Sequence, residues 1–180
     1  GGPIEETGRI IVDGDAGSHM GISMLRGAIY VSGRVMSPLG NVVEAESELS
    51  GYKKFISVTE ALEKSLAVLP PNMVSEKGLA IKDGLIRDTL GARNPTKKSL
   101  LLQGDAGMST GILMGSGSIE VDGDAGANTG VLMQGGRIVI LGGTGDFTGA
   151  EMRAGEIIIE DDAGSFACAR MLRATRRRLT

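Results

Sequence analysis

The residues equipped for chemistry are few and scattered along the chain. His19 is the only histidine and Cys168 the only cysteine. No Ser or Cys stands at a recognised spacing from His19, so no nucleophilic triad can be assembled from the sequence. Cys168 has no partner for an intramolecular disulfide or a thiolate cluster, and reads as a small buried hydrophobe in a reducing compartment. Asp15, Asp105, Asp124 and Asp162 recur at one station of a repeated phrase, which raises calcium binding. Calcium-binding nonapeptide repeats need a G-G-x-G-x-D pattern and a period of about 18 residues, which this chain lacks. Carboxylates hydrogen-bonded to nearby backbone are the expected use of these residues. "RIVILGGTGDFTG" has the look of a strand and a phosphate loop, but no helix follows it. Gly143, Gly145 and Gly149 also miss the G-x-G-x-x-G spacing. No catalytic, cofactor-binding or metal-ligating residue is therefore assigned.

What must position these residues is a repeat. Gly104, Gly123 and Gly142 are each 19 residues apart, and Asp161 takes the next station. A second column runs Gly107, Gly126, Gly145, Gly164, and a third runs Gly111, Gly130, Gly149, Cys168. Met114, Met133, Met152 and Met171 make a fourth column, and Thr110, Thr129 and Thr148 a fifth. Near the N-terminus Gly14, Gly17, Gly21, Met24 and Gly27 are answered by Gly33, Gly40 and Val43, so that six copies are counted in all. Fixed self-similarity near 20 residues marks a solenoid, in which each unit buries its apolar face only against its neighbours. Before each first glycine stand short β-branched runs such as "RIIVDG", "SIEVDG" and "RIVILG", which read as strands. Glycines every three to six residues exclude helix, since each costs about 1 kcal/mol relative to Ala. The fold class is an all-β solenoid, a parallel β-helix of 19-residue coils stacked at about 4.8 Å. Its Met column is expected to point inward, and Thr110, Thr129 and Thr148 to form a ladder of their own.

Composition agrees and narrows the function classes. Hydrophobic residues make up 41% but aromatics only 3%, with 29 glycines and no Trp, so Ile, Leu, Val, Met and Ala must fill a lean core. The nine methionines are core filling on this spacing, not copper ligands. A net charge of −3 argues against a nucleic-acid binder. No apolar run suits a membrane span, and no charged-then-apolar leader opens the chain. Arg170, Arg173, Arg176, Arg177 and Arg178 form a basic end, either solvated or a seat for an acidic patch on a partner.

The expected organisation is coils over 1–43, an insertion over 44–98, coils again over 99–174 and a basic tail over 175–180. The insertion contains "SVTEALEKSLAVLPPN". Ser57 and Glu60 have capping-box spacing, Val58, Leu62, Leu66 and Leu69 form an apolar stripe, and Pro70-Pro71 stop the chain. An amphipathic helix over 58–69 follows, to cover the solenoid's interrupted edge or to dock a partner. "LAIKDGLI" reads either as a hairpin turning at Asp83-Gly84 or as a second short helix.

The phrase "GDAG...G..M..G.I.V.GDAG" resembles the glycine-motif (GXGXG) β-helix family. That family includes the β-helical subunit of formylmethanofuran dehydrogenase and the C-terminal domain of the glutamate synthase large subunit. The resemblance covers Gly8 to Val43 and Ser99 to Met171; the 44–98 insertion departs from it. It implies a right-handed β-helix that transforms no substrate and braces subunits that do. "GDAGANTGVLMQGGRIVI" is closer to the formylmethanofuran enzyme, with the ammonia-assimilating glutamate synthase second. The expected role is a non-catalytic scaffold of a cytoplasmic oxidoreductase complex of one-carbon metabolism. The expected partners are other subunits carrying metal or flavin cofactors, or a further copy of the chain in a homo-oligomer. The contrary class is a stand-alone enzyme or small-ligand binder using a crevice between insertion and coils.

Overall fold

The computed structural model describes residues 7–172. Strands β1 (Arg9–Val12) and β2 (Ala28–Val31) open it, followed by β3 (Val42–Ala45), β4 (Lys53–Ser57), helix α1 (Val58–Lys64), β5 (Met73–Ser75) and β6 (Gly78–Ile81). Four strands of the regular coils complete it: β7 (Ser99–Gln103), β8 (Ser118–Asp122), β9 (Arg137–Ile140) and β10 (Glu156–Ile159). Two sheets result, in the orders β1-β2-β4-β3 and β10-β9-β8-β7-β6-β5. Arg9 lies beside Ala28, and Ser99 beside Ser118, Arg137 and Glu156 in turn, all in parallel pairing. Each step is one 19-residue coil, and the molecule is a β-solenoid of about eight turns.

Strand alternation divides the side chains between two sides of the sheet. Leu100, Ile119 and Ile138 stack inward in register, as do Leu102, Val121 and Ile140, all at 0–1% exposure. Beneath them lie the expected columns, with Met114 and Met133 at 0% exposure, Met152 at 7%, and Thr110, Thr129 and Thr148 all buried. The Thr129 hydroxyl donates to the Gly126 carbonyl (2.9 Å), and the Thr148 hydroxyl to that of Gly145 (3.0 Å). Met171 departs from its column: it is 54% exposed, on the last described coil.

The side of the coil opposite the strand is a run of left-handed turns. Ser109, Gly111 and Leu113 have φ of 59°, 70° and 56°, and Asn128, Gly130 and Leu132 repeat the pattern. Amides here donate alternately to the preceding and following coil: Gly111 N–H to Leu90 O (2.8 Å), Ser109 N–H to Ala127 O (2.8 Å). A Cβ on Gly111 would lie 2.5 Å from Cδ1 of Ile138, so this column needs glycine for space as well as for backbone angle. Left-handed Leu113 and Leu132 were not foreseen, because their inter-coil hydrogen bonds, not residue type, hold them there.

Three expectations for the insertion and one for the coil before it need correction. Parallel stacking resumes at Gly78, which pairs with Ser99, so part of the 44–98 segment belongs to the solenoid. That coil is two residues longer than the rest, which hid it from a search at fixed period. "LAIKDGLI" is neither hairpin nor helix: Gly78–Ile81 is β6, its antiparallel partner β5 precedes it, and Asp83 stands at a bend. Helix α1 ends at Lys64 rather than 69, because Ser65 turns left-handed (φ 50°) and its amide caps the Ala61 carbonyl. Val43, aligned with the methionine column, instead sits in β3, which pairs antiparallel with β4.

Ser57 caps α1 as the spacing predicts, accepting the Glu60 amide at 3.2 Å, a contribution of about 1 kcal/mol. Val58, Ala61 and Leu62 are 0–1% exposed and pack with Val43, Ile56, Leu79 and Ile81. The helix contacts β4, which pairs antiparallel with β2, and β6, where parallel pairing resumes. It fills the interruption between the two sheets, as the covering role requires.

Candidate functional site

The residues with chemical potential are engaged one by one in the scaffold. Asp105 Oδ1 accepts the Asp124 amide (2.8 Å), Asp124 Oδ1 accepts the Gly143 amide (2.8 Å) and Asp15 Oδ1 accepts the Arg34 amide (2.7 Å). Each carboxylate thus ties its coil to the next one, 19 residues on, rather than closing its own corner. Asp162 takes no such role; its amide instead donates to Asp161 Oδ1 (2.9 Å). Among the described residues no three His, Cys, Asp or Glu side chains converge on a point that a metal ion would occupy.

The glycine-rich loop after β9 has its amides committed. Gly142 N–H donates to Gly123 O (2.8 Å), Gly143 N–H to Asp124, Thr144 N–H to Asp162 O (2.9 Å) and Gly145 N–H to Ala125 O (3.1 Å). Phosphate recognition at such loops needs free, convergent amides, and this ladder consumes them.

His19 has a partner that its sequence context does not reveal. Its Nδ1 lies 2.7 Å from Asp88 Oδ2, a residue 69 positions away on the coil that begins at β6. Asp88 is 5% exposed at its side chain, and its other oxygen accepts the Met108 amide (2.7 Å). The carboxylate fixes the imidazole with Nε2 turned from the pair, an arrangement shared by catalytic dyads and by metal-ligating histidines. Among the described residues no Ser, Thr or Cys side chain hydrogen-bonds to either member, and no second metal ligand joins them. The pair is a clamp between the N-terminal coils and the rest.

Two further polar networks brace the scaffold, one buried across the break and one on the outer face of the first sheet. Arg87, 0% exposed, donates through Nε to Val42 O (2.7 Å) and through both terminal nitrogens to Asp83 (2.8 and 2.6 Å). Burial pushes the Asp83 carboxyl up, but the Arg87 guanidinium outweighs this and holds it below its ordinary value. On the outside of the first sheet Tyr30 donates its hydroxyl to Glu48, which also receives Lys54 Nζ at 3.2 Å. The Tyr30 hydrogen bond leads the effects that lower the Glu48 carboxyl to about 2.

Cys168 is exposed, not buried as expected. It has the left-handed φ of its column (60°), but no described coil packs over it. With Met152, Ile157 and Met171 it lines an apolar hollow of about 270 Å³ at that end of the stack. Arg170 is 3.8 Å from Glu151; Arg173, Arg176, Arg177 and Arg178 lie outside the described residues. No helix among the described residues is long and apolar enough to cross a membrane.

Comparison with known proteins adds one relative. The chain is similar, at 46% identity over 122 residues, to an uncharacterized protein of Methanothermobacter thermautotrophicus. That match takes in 67% of the chain but only 40% of the relative's length. No protein-family profile matches the chain, and no solved structure does so.

Proposed function

We propose that the chain is a non-catalytic β-helix scaffold, a subunit or domain of a multisubunit oxidoreductase, most like the β-helical subunit of formylmethanofuran dehydrogenase. It would work in the cytoplasm, in one-carbon metabolism, beside subunits that carry the metal-dependent chemistry. The observation that carries this reading is the use of the polar side chains. The column aspartates, His19 and the buried threonines each bond to another part of the same scaffold. A stack held this way is stiff along its axis, and stiffness suits a part that fixes the separation of two active sites. What it offers other molecules is outer surface.

Affinity purification of the tagged full-length protein from its native cells, followed by native mass spectrometry, tests the reading. Stoichiometric metal- or flavin-bearing subunits are expected. A protein that purifies alone and turns over a substrate, or retains a small molecule, would overturn it.

A further inference from the structure

The two sheets differ on their outer faces. On the first, Tyr30 points outward yet is 2% exposed, because the connection from β3 to β4 folds over it and Glu48 takes its hydroxyl. The second sheet has no such cover among the described residues. Its outward row runs Met73, Ala80, Leu101, Glu120, Val139 and Ile158, each beside the next across six strands. Met73 is 61% exposed and Leu101 37%. At the strand spacing the row is about 24 Å long. An apolar stripe of this kind, broken only by Glu120, marks an interaction surface.

Its two borders differ in charge. Along one border Ser99 and Ser118 hydrogen-bond to each other (2.9 Å), Arg137 pairs with Glu156 (3.5 Å), and Lys77 and Lys98 stand where β6 and β7 begin, so that rim has no excess of acid. Along the other, the strand ends and corners carry Asp105, Asp122, Asp124, Glu160, Asp161 and Asp162, all exposed. From β7 to β10 no Lys or Arg occupies any station from 103–106, 122–125, 141–144 or 160–163; Lys82, after β6, is the cation at the near end of this edge. Between residues 99 and 172 there are ten Asp and Glu against three Lys and Arg, and the three arginines lie off this edge. Stacking like charges at one strand spacing is unfavourable, and a covering cation relieves it. Glu120 adds a carboxylate within the stripe itself.

We infer that this face is the docking surface for a partner protein that presents an apolar ridge with Lys or Arg along one flank. The unlike charge of the two borders fixes which way round the partner lies, as charge complementarity does at interfaces. A second copy of this chain fits less well, because a two-fold across the strands sets acidic edge on acidic edge, and one along the stack brings the two Glu120 side chains together. The inference rests on the scaffold reading and names the face that the scaffold uses.

A photo-reactive benzoylphenylalanine placed at Leu101, in the tagged full-length protein expressed in its native cells, tests it. A second variant carries the probe at Met108, which is 49% exposed on the turn side of the coil. The Leu101 probe is expected to link to one partner at a segment where Lys or Arg adjoins apolar residues. Asp122→Lys with Glu160→Lys is expected to lower that yield about tenfold, as is salt at about 0.5 M, where charges are screened within a few ångströms. Circular dichroism must show both charge-reversed and probe variants folded. If other proteins copurify but link only through Met108, or the Leu101 link ignores charge reversal, the inference fails and the scaffold reading stands. A link to a second copy, or to the chain's own 173–180 segment, likewise overturns the inference. If nothing copurifies, the scaffold reading itself fails.

Discussion

The side-chain oxygen of Asn41 accepts the backbone amide of Gly91 at 2.9 Å, and by doing so continues the inter-coil ladder across the insertion. In the next coils the same bond is made by backbone carbonyls, as from Gly111 to Leu90 and from Gly130 to Thr110. Asn41 Nδ2 meanwhile donates to Met24 O (2.9 Å) and Thr59 Oγ1 (2.8 Å), and the residue is 0% exposed. Asn41→Ala strands buried groups on both sides of the break, so a loss of about 2–3 kcal/mol is expected, read as a lower urea midpoint. Asn41→Asp restores the acceptor but sets a buried carboxylate against Met24 O with no counter-charge, and should cost at least as much.

The glycine columns separate into positions that need glycine and positions that do not. A Cβ on Gly126 would stand 2.9 Å from the Gly107 carbonyl carbon and oxygen, backbone that cannot swing away. One on Gly115 meets only the Asn94 carbonyl oxygen at 3.6 Å. Gly126→Val should therefore destabilise by about 3 kcal/mol or more and reduce soluble yield. Gly115→Ala should stay within about 0.5 kcal/mol of the parent. Paired thermal melts check both.

Acid should loosen the junction at Asp83. Its carboxyl is held below the ordinary 3.8 in the folded state, so it binds protons more readily when unfolded. The stabilisation is fully present above the unfolded value, and is lost as pH falls through the lowered folded value. Urea midpoints should change little from neutrality to about pH 5 and decline below about pH 4 on this account. Asp83→Asn should flatten part of that decline while costing about 3 kcal/mol at neutral pH, because it leaves Arg87 buried without its counter-charge.

Thr144 interrupts a column of small apolar residues. It bridges Ala125 and Ala163, and its buried hydroxyl oxygen has no hydrogen-bond partner among the described residues. Thr144→Val removes that unsatisfied group and should gain about 1 kcal/mol, or about 2–4 °C in melting temperature. Thr129→Val removes a hydroxyl that does donate, to Gly126 O, and should lose about as much.

The regular half of the molecule was legible because a strict period turns sequence spacing into spatial stacking. Met114 and Met133, Thr110 and Thr129, and the inward strand residues all lie where the columns put them. The break was less legible, because side chains there replace a backbone pattern. Asn41 bonds to Gly91, His19 to Asp88 and Arg87 to Val42 over 50, 69 and 45 residues, and no local spacing encodes such pairs. The helix was foreseen from its cap and stripe, but Ser65 stops it a turn before the prolines. Cys168 misled because a column position implies burial only where another coil follows. The acidic edge was visible as repeated Asp, yet only the strand register sets it beside the outward row from Met73 to Ile158.

The stacking itself is tested most directly through two methionine methyls. Met114 Cε and Met133 Cε each lie 2.8 Å from where a Cβ would stand on Gly136 and Gly155 respectively, so each methyl sits beneath a glycine 22 residues along the chain. Selective methyl labelling and NOE spectroscopy should show Met114 to Gly136 and Met133 to Gly155 as parallel, intense cross-peaks. Solvent-exposed methyls with neither cross-peak would contradict the stacked coils, and with them the outer surface on which the proposed function depends.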